Sequence, residues 1–231
     1  MRILILADIH ANWPALQALD EPHDVCLCLG DLVDYALEPA PCIDWVRRHA
    51  THAVRGNHDH CVAQNVVSNG QSGFKYLTRL TRALTRERLA AADLRFLADL
   101  PLTRTVTLDE TRFLLVHATP RDPLDEYAPP EADFWARRLK GVEADVICVG
   151  HTHHPYVLEV GEQLIINPGS IGLPRDGDPR AAYAVMEDHR VELKRFEYPV
   201  DATLRPIQES SLPEDAKALL AEVLRTGSVK R

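Results

Sequence analysis

The chain has 231 residues, 26 Lys and Arg against 34 Asp and Glu, a formal net charge of −8 and five cysteines. That length fits one domain with a substantial core, and the acidic balance excludes a general electrostatic grip on nucleic acid, though not a phosphate held by bound dications. No segment reaches the length of a membrane span, the first apolar run stops at Asp8 before it could form a signal-peptide core, and the odd, scattered Cys26, Cys28, Cys42, Cys61 and Cys148 suit a reducing cytoplasm rather than a disulfide framework.

In chain order, the apolar run 3–7 ends at Asp8-Ile9-His10, and 12–19 reads as a helix opened by Asn12 with Pro14 near its start. The run 25–29 ends at Gly30-Asp31-Leu32-Val33-Asp34. Its Cys26 and Cys28 read as small buried hydrophobes, with a metal-binding pair as the alternative. A helix over 40–49 follows, and the short run Ala53-Val54 leads into Gly56-Asn57-His58-Asp59. Residues 61–100 are helical in pattern and interrupted at 68–73. They carry Lys75, Arg79, Arg82, Arg86, Arg88 and Arg95 against Glu87, Asp93 and Asp99. This excess of cations reads either as a helical flap brought over a functional edge or as ordinary solvated helix faces.

The runs 103–109 and 111–117 predict a hairpin turning near Asp109-Glu110, with His117 at its end and a proline-rich acidic loop at 120–130. Three strands are expected in 144–167 around Gly150-His151-Thr152-His153, and a second hairpin in 181–187 and 190–197. From Pro199 the chain is expected to be irregular until Ser211, which makes a capping-box signature with Glu214. The last helix, about 212–226, carries Ala216, Leu219, Leu220, Val223 and Leu224 on one face and stops at Gly227. That stripe is expected to pack on its own domain, with a homo-oligomer contact as the alternative.

Five of these segments place carboxylate, amide or imidazole groups directly after short runs rich in Val, Ile and Leu, which read as buried strands of an α/β sheet. Polar groups just past such strands lie on the carboxyl edge of the sheet, where open α/β sheets bind ligands. Asp8/His10 and His151/His153 are spaced i,i+2, which in extended chain points both members to one side. Gly30, Gly56 and Gly150 each precede one of these groups and permit a sharp turn. Taken singly each motif is weak, since Asp-x-His or Gly-Asp-x-x-Asp is more often a loop. The ordered set is specific to the ligation of two divalent ions.

On these motifs, together with Asn167-Pro168-Gly169-Ser170 and Pro174-Arg175-Asp176-Gly177, the chain from residue 1 to about 187 resembles the calcineurin-like metallophosphoesterases, in their branch of small prokaryotic phosphodiesterases and phosphatases. The resemblance implies a four-layer αββα sandwich of two mixed β-sheets flanked by helices. It implies one metal held by Asp8, His10, Asp31 and His153, with Asp31 bridging to a second held by Asn57, His117 and His151. His58 would serve the leaving group with Asp34 as its carboxylate partner. The protein Ser/Thr phosphatases of the superfamily carry a phosphate-gripping arginine after the second aspartate, where this chain has Tyr35.

The expected activity is hydrolysis of a small phosphoester, first a nucleotide-like diester, by a hydroxide shared between two divalent ions (Mn, Fe, Zn, Co or Ni). The alternatives are a phosphomonoesterase or protein phosphatase, and a non-catalytic scaffold of the same fold. Arg79, Arg82 and Arg175 are candidate substrate contacts, Arg175 with a turn beside Asp176-Gly177 as the alternative. His60 and His154 are expected either on the surface or supporting neighbouring groups, Arg55 to anchor a loop, and His23, His49, His52 and His189 to lie on the surface. Ser170 is not a candidate nucleophile, because nothing near it in sequence marks a base.

Overall fold

Strand alternation in a computed structural model, which describes residues 1–229, shows how the sheets are buried. In β1 (Arg2–Leu6) Ile3 and Ile5 point into one apolar cluster and Leu4 and Leu6 into another, so both faces of the strand are covered. β2 (Val25–Cys28) alternates the same way, with Val25 and Leu27 on one face and Cys26 and Cys28 on the other. Burial pushes the Cys26 thiol up to about 12, and both cysteines are free and buried, so they are packing groups rather than a thiolate pair.

β1 pairs parallel with β2 and antiparallel with β9 (Ala181–Glu187). With β3 (His52–Ala53) and β10 (Arg190–Phe196) they form a five-stranded mixed sheet in the order β10-β9-β1-β2-β3. The second five-stranded sheet has the order β4-β5-β6-β8-β7, from β4 (Thr103–Leu108), β5 (Thr111–Val116), β6 (Val146–Cys148), β7 (Tyr156–Val160) and β8 (Gln163–Asn167). Ile3, Ile5 and Leu27 of the first sheet pack on Phe113, Leu115, Cys148 and Ile166 of the second, which makes the inter-sheet core. Outside the first sheet lie α1 (Trp13–Gln17), α2 (Pro39–His49) and α5 (Ala91–Asp99), through Leu16, Ile43, Val46 and Leu97. Outside the second lies α6 (Ala132–Arg138), with Trp135 fully buried against Ile147 and Ile165. The result is the expected αββα sandwich, and the two predicted hairpins are both present.

Residues 61–100 divide. α3 (Asn57–Ala63) and α4 (Gly73–Glu87) are separated by an irregular segment, while α5 belongs to the outer helical layer. α4 packs through Leu77 onto Leu212, Ala216, Leu220, Val223 and Leu224, so the apolar stripe of α8 (Glu214–Thr226) is covered by its own chain. Gly227 ends α8 at φ 66°, as its position predicts.

Two expectations near the C-terminus are corrected. Residues 200–209 are not irregular but form α7 (Val200–Glu209), with Pro199 at its N-cap and Pro206 inside it. Proline removes one helical hydrogen bond, but the buried stripe Thr203, Leu204 and Ile207 outweighs that loss. The capping box of Ser211 with Glu214 does not form. Pro213 is the N-cap of α8 and its carbonyl accepts from Lys217 N, while the Glu214 carboxylate accepts from Lys217 Nζ at 2.8 Å.

Candidate metal centre

The loops after β1, β2, β3, β5 and β6 bring the five motifs to one edge of the sandwich, but not through extended backbone. Asp8, His10, Asp31, Asp34, His151 and His153 all have φ between 48° and 68°, the left-handed region that non-glycine residues rarely adopt. Such conformations persist only where the surroundings over-determine them. Here Asp8 N donates to Gly30 O, His10 N to Asp31 O, and the Asp8 carbonyl accepts from Gly172 N and Ser170 Oγ. Despite their i,i+2 spacing, His151 and His153 do not point to one side: the turn sends them to different donor groups. The glycines act by close approach. A Cβ on Gly30 would lie 2.3 Å from Gly56 N, and one on Gly56 would lie 2.1 Å from Asp31 Oδ1.

The first group is Asp8, His10 and His153, all buried. His10 Nδ1 donates to Val33 O at 2.9 Å and His153 Nδ1 to Leu173 O at 2.5 Å, so each neutral ring turns its Nε2 lone pair inward. Those two Nε2 atoms are 3.2 Å apart, and Asp8 Oδ1, which has no hydrogen-bond partner among the described residues, is 3.4 Å from the His153 one. Burial holds both imidazoles well below their ordinary range and pushes Asp8 up to about 7, with His117 opposing and Asp31 adding to that rise. Converging lone pairs with no hydrogen between them suit a divalent cation.

The second group is Asp31, His117 and His151, completed by the Asn57 amide. Asn57 Oδ1 lies 3.1 Å from His117 Nε2 and 3.2 Å from His151 Nδ1, and Asp31 Oδ2 lies 3.2 Å from His117 Nε2. His117 Nδ1 is committed to Leu29 O. Burial and the neighbouring His117 bring His151 down to about 4. Burial also acts to lower His117, but Asp31 and Asp8 overcome it and raise His117 to about 10. A proton and a metal ion therefore compete for the same nitrogen. The donor set of imidazole, carboxylate and amide fits a divalent ion in this group as well.

His58 is buried beside the groups, with Nδ1 2.8 Å from Asp34 Oδ2 and its backbone N–H on Asp31 Oδ1. The three predicted arginines behave differently from one another. Arg79 is on the far side of the expectation: it donates to Gly70 O and lies over the Tyr76 ring. Arg82 is buried and bonded to Asp34. Arg175 stacks on Phe74, its Cζ 3.8 Å from the ring centroid, and donates from Nη2 to Tyr35 Oη at 3.2 Å. The Tyr35 ring in turn meets His10 and His58, at centroid distances of 4.7 and 5.0 Å. Arg175 is close enough for its charge to act on Asp8, His10, His151 and His153, and its buried Nε has no partner among the described residues.

Some supporting roles were not assigned from the sequence, although Asp59, Asn167 and Ser170 lie in motifs quoted above. The Asp59 carboxylate accepts from Asp31 N, Leu32 N and Gly56 N and so fixes the turn that carries Asp31. Only its position three residues after Gly56 hints at this capping role. Asn167 Nδ2 donates to Gly150 O and Thr152 Oγ1, and Ser170 Oγ to Asp8 O, so these residues brace the edge. Exposed Tyr127, on the loop after β5, stands with its ring centroid 6.0 Å from that of His151. Arg55 anchors α5 through Ala98 O, and His154 bonds its own turn at Thr152 O. His52 is half-buried in β3 rather than on the surface.

Comparison with known proteins agrees with this geometry. The whole fold superposes on the crystal structure of a metallophosphoesterase from Sphaerobacter thermophilus with a TM-score of 0.83 and 34% identity, covering 98% of this chain and 99% of that one. The structure of a hypothetical protein from Pyrococcus horikoshii OT3 shares the fold at a TM-score of 0.81 and 21% identity, covering 95% and 97% of the two chains. An uncharacterised protein of Methanocaldococcus jannaschii is 29% identical over 92% of this chain and 94% of its own length. The calcineurin-like phosphoesterase superfamily domain matches residues 1–190. The chain belongs to that superfamily and is a metal-dependent hydrolase of phosphoester bonds.

Proposed function

We propose that the chain is a two-metal phosphodiesterase acting on small nucleotide-like diesters, with Asp8, His10, Asp31 and His153 around one ion and Asp31, Asn57, His117 and His151 around the other. The observation that carries this reading is the position of Asp31 Oδ2. It lies 3.7 Å from His10 Nε2 and 3.2 Å from His117 Nε2, while Oδ1 is taken by His58 N–H. That oxygen thus stands between two donor groups. Divalent ions held there would acidify water and absorb charge building on the phosphoryl oxygens.

The chain's own residues supply the rest. His58, held through Nδ1 by Asp34, presents Nε2 as the proton donor to the departing oxygen. Arg175 contacts the phosphate through the N–H edge not committed to Tyr35. A single guanidinium matches the single charge of a diester. Arg79 and Arg82, engaged with Gly70 and Asp34, add no second free cation of the kind a monoester dianion calls for.

The test is reconstitution with Mn, Fe, Zn, Co or Ni in turn, followed by assay on an aryl nucleotide diester, a bis-aryl phosphate and an aryl monoester. Two ions per chain and faster diester turnover are expected. Faster monoester turnover would move the assignment to the monoesterase alternative, and no turnover by a protein holding two ions would favour the scaffold.

A further inference from the structure

Asp34 Oδ2 accepts three N–H groups: His58 Nδ1 at 2.8 Å, Arg82 Nη2 at 2.8 Å and Arg82 Nε at 3.0 Å. The third guanidinium nitrogen, Nη1, donates to Val66 O in the segment before α4. Every nitrogen of Arg82 is thus engaged, and its side chain is only 10% exposed. A guanidinium so committed is poorly placed to meet a substrate, contrary to the expectation from sequence. A buried ion pair is costly to build unless its geometry is well satisfied, and is often better explained by the arrangement it specifies than by the stability it adds.

The surroundings indicate what is specified. Thr78, Thr81 and Arg82 occupy one face of α4, and all three reach the Asp34-Tyr35 turn: Thr81 Oγ1 accepts from Tyr35 N, Thr78 Oγ1 donates to Tyr35 Oη, and Arg82 binds Asp34. That turn is in the left-handed region at both residues, with φ of 68° and 66°. Asp34 Oδ1 has no partner among the described residues, so the direction of the carboxylate is set on the Oδ2 side alone.

We infer that Arg82 is a positioning residue: it pins Asp34 Oδ2 so that this carboxylate holds the His58 ring by Nδ1, with Nε2 turned toward the metal edge 4.0 Å from Asp31 Oδ2. It also ties the docking of α4 to proton donation, because the helix that carries Arg82 is seated on the Asp34 turn. The inference rests on the reading of His58 as the leaving-group donor.

A double-mutant cycle tests it. Arg82→Ala, Arg82→Lys, His58→Asn and the double variant His58→Asn/Arg82→Ala are assayed on aryl phosphodiesters of graded leaving-group pKa, with metal content measured for each. Arg82→Ala should lower kcat by about 10- to 100-fold on poor leaving groups, a part of the general-acid contribution, and much less on nitrophenolate esters. KM should stay within about twofold, since no binding contact is removed. The double variant should be no slower than His58→Asn, because both changes disable one unit. Arg82→Lys, which keeps the charge with fewer donors, should fall between wild type and Arg82→Ala, and added guanidinium should restore part of the Arg82→Ala loss.

A readout independent of turnover is the His58 Nδ1 proton resonance of the metal-free protein, assigned by its loss in His58→Asn. It should broaden or vanish in Arg82→Ala. Multiplicative losses in the double variant, a raised KM with kcat intact, or loss of metal in Arg82→Ala would each overturn the inference. If Arg82→Ala does not fold, Arg82→Lys carries the same cycle, and wild-type kinetics in it with an unchanged resonance would overturn the inference. Wild-type turnover in His58→Asn would remove the leaving-group reading and this inference together. An impaired His58→Asn beside an unimpaired Arg82→Ala would remove only the inference.

Discussion

His10 and His153 face each other through Nε2 atoms 3.2 Å apart, and each gives its Nδ1 proton to a backbone carbonyl. The backbone thus selects the tautomer that turns two lone pairs toward one point. Mutual repulsion of those lone pairs is relieved by a cation, so binding should stabilise the fold. At about 100 times Kd the stabilisation is about 2.7 kcal/mol per ion, read as a rise in Tm on loading and its reversal by a chelator. An unchanged Tm across saturating metal would contradict the assignment of this group.

Asp31 is the one residue whose removal should affect both ions. Asp31→Ala is expected to bind fewer than two ions per chain and to turn over near background, because Oδ2 faces both His10 and His117. Metal analysis beside a diester assay checks this. Two ions and most of the turnover retained would show that the oxygen does not bridge.

Gly56 separates steric need from backbone need. Its φ of −85° suits any residue, so an alanine would be strained only by contact, with a Cβ 2.1 Å from Asp31 Oδ1 and 2.5 Å from Asp31 N. Gly56→Ala should cost about 1–3 kcal/mol, the usual range for overpacking, and should also weaken metal binding by moving Asp31. Denaturant midpoints with and without metal measure the two effects. A neutral substitution would mean that the turn gives way without disturbing the carboxylate.

Much of this was legible in the sequence because the chemistry follows the strands. Asp8, Asp31, Asn57, His117 and His151 each come soon after a short apolar run, and strand order alone brings those ends to one edge. The parting of His151 from His153 was implied by the family resemblance but not legible in their spacing, since it depends on left-handed turns that no residue type there signals. α7 was hidden by Pro206, because its helical stripe pays off only once α1 and α8 are in place. The role of Arg82 was equally invisible: on a helix wheel it is one cation among several, and only the docking of α4 on the Asp34 turn distinguishes it.

Glu21 ties together three strands of the first sheet. Its Oε1 accepts from Arg2, and its Oε2 accepts from Lys194 Nζ and Tyr183 Oη, both at 2.6 Å. Burial acts to raise its pKa, but Lys194, Tyr183 and Arg2 together lower it from 4.5 to about 2. A depressed carboxylate contributes stability that is complete above its unfolded pKa of 4.5 and is lost as pH falls toward 2. Glu21→Gln should therefore lower stability at pH 7 by about 1.5–3 kcal/mol, the scale of hydrogen bonds to a charged group, and flatten the acid side of the stability profile. Urea unfolding between pH 7 and 2.5 checks both, and an acid slope equal to wild type would contradict the assignment.

Metal loading should release a proton, and the source should be His117. Without metal its pKa is raised from 6.5 to about 10, against burial, by Asp31 and Asp8, so at pH 8 it is protonated. The raised pKa stabilises the metal-free fold fully below 6.5, and that contribution fades as pH rises through 10. At pH 8 the other imidazoles of the two groups, His10, His153 and His151, are already neutral because burial lowers them, and Asp8, at about 7, is mostly ionised. Loading therefore displaces about one proton from His117, in addition to any given up by water on the ions, and metal affinity should climb with pH until about 10, where His117 is neutral before the ion arrives. Calorimetric titration in buffers of different ionisation enthalpy counts the proton directly. His117→Gln should reduce the release by about one proton while weakening the second ion. A binding enthalpy independent of the buffer in the wild-type protein would show that His117 carries no proton for the metal to displace.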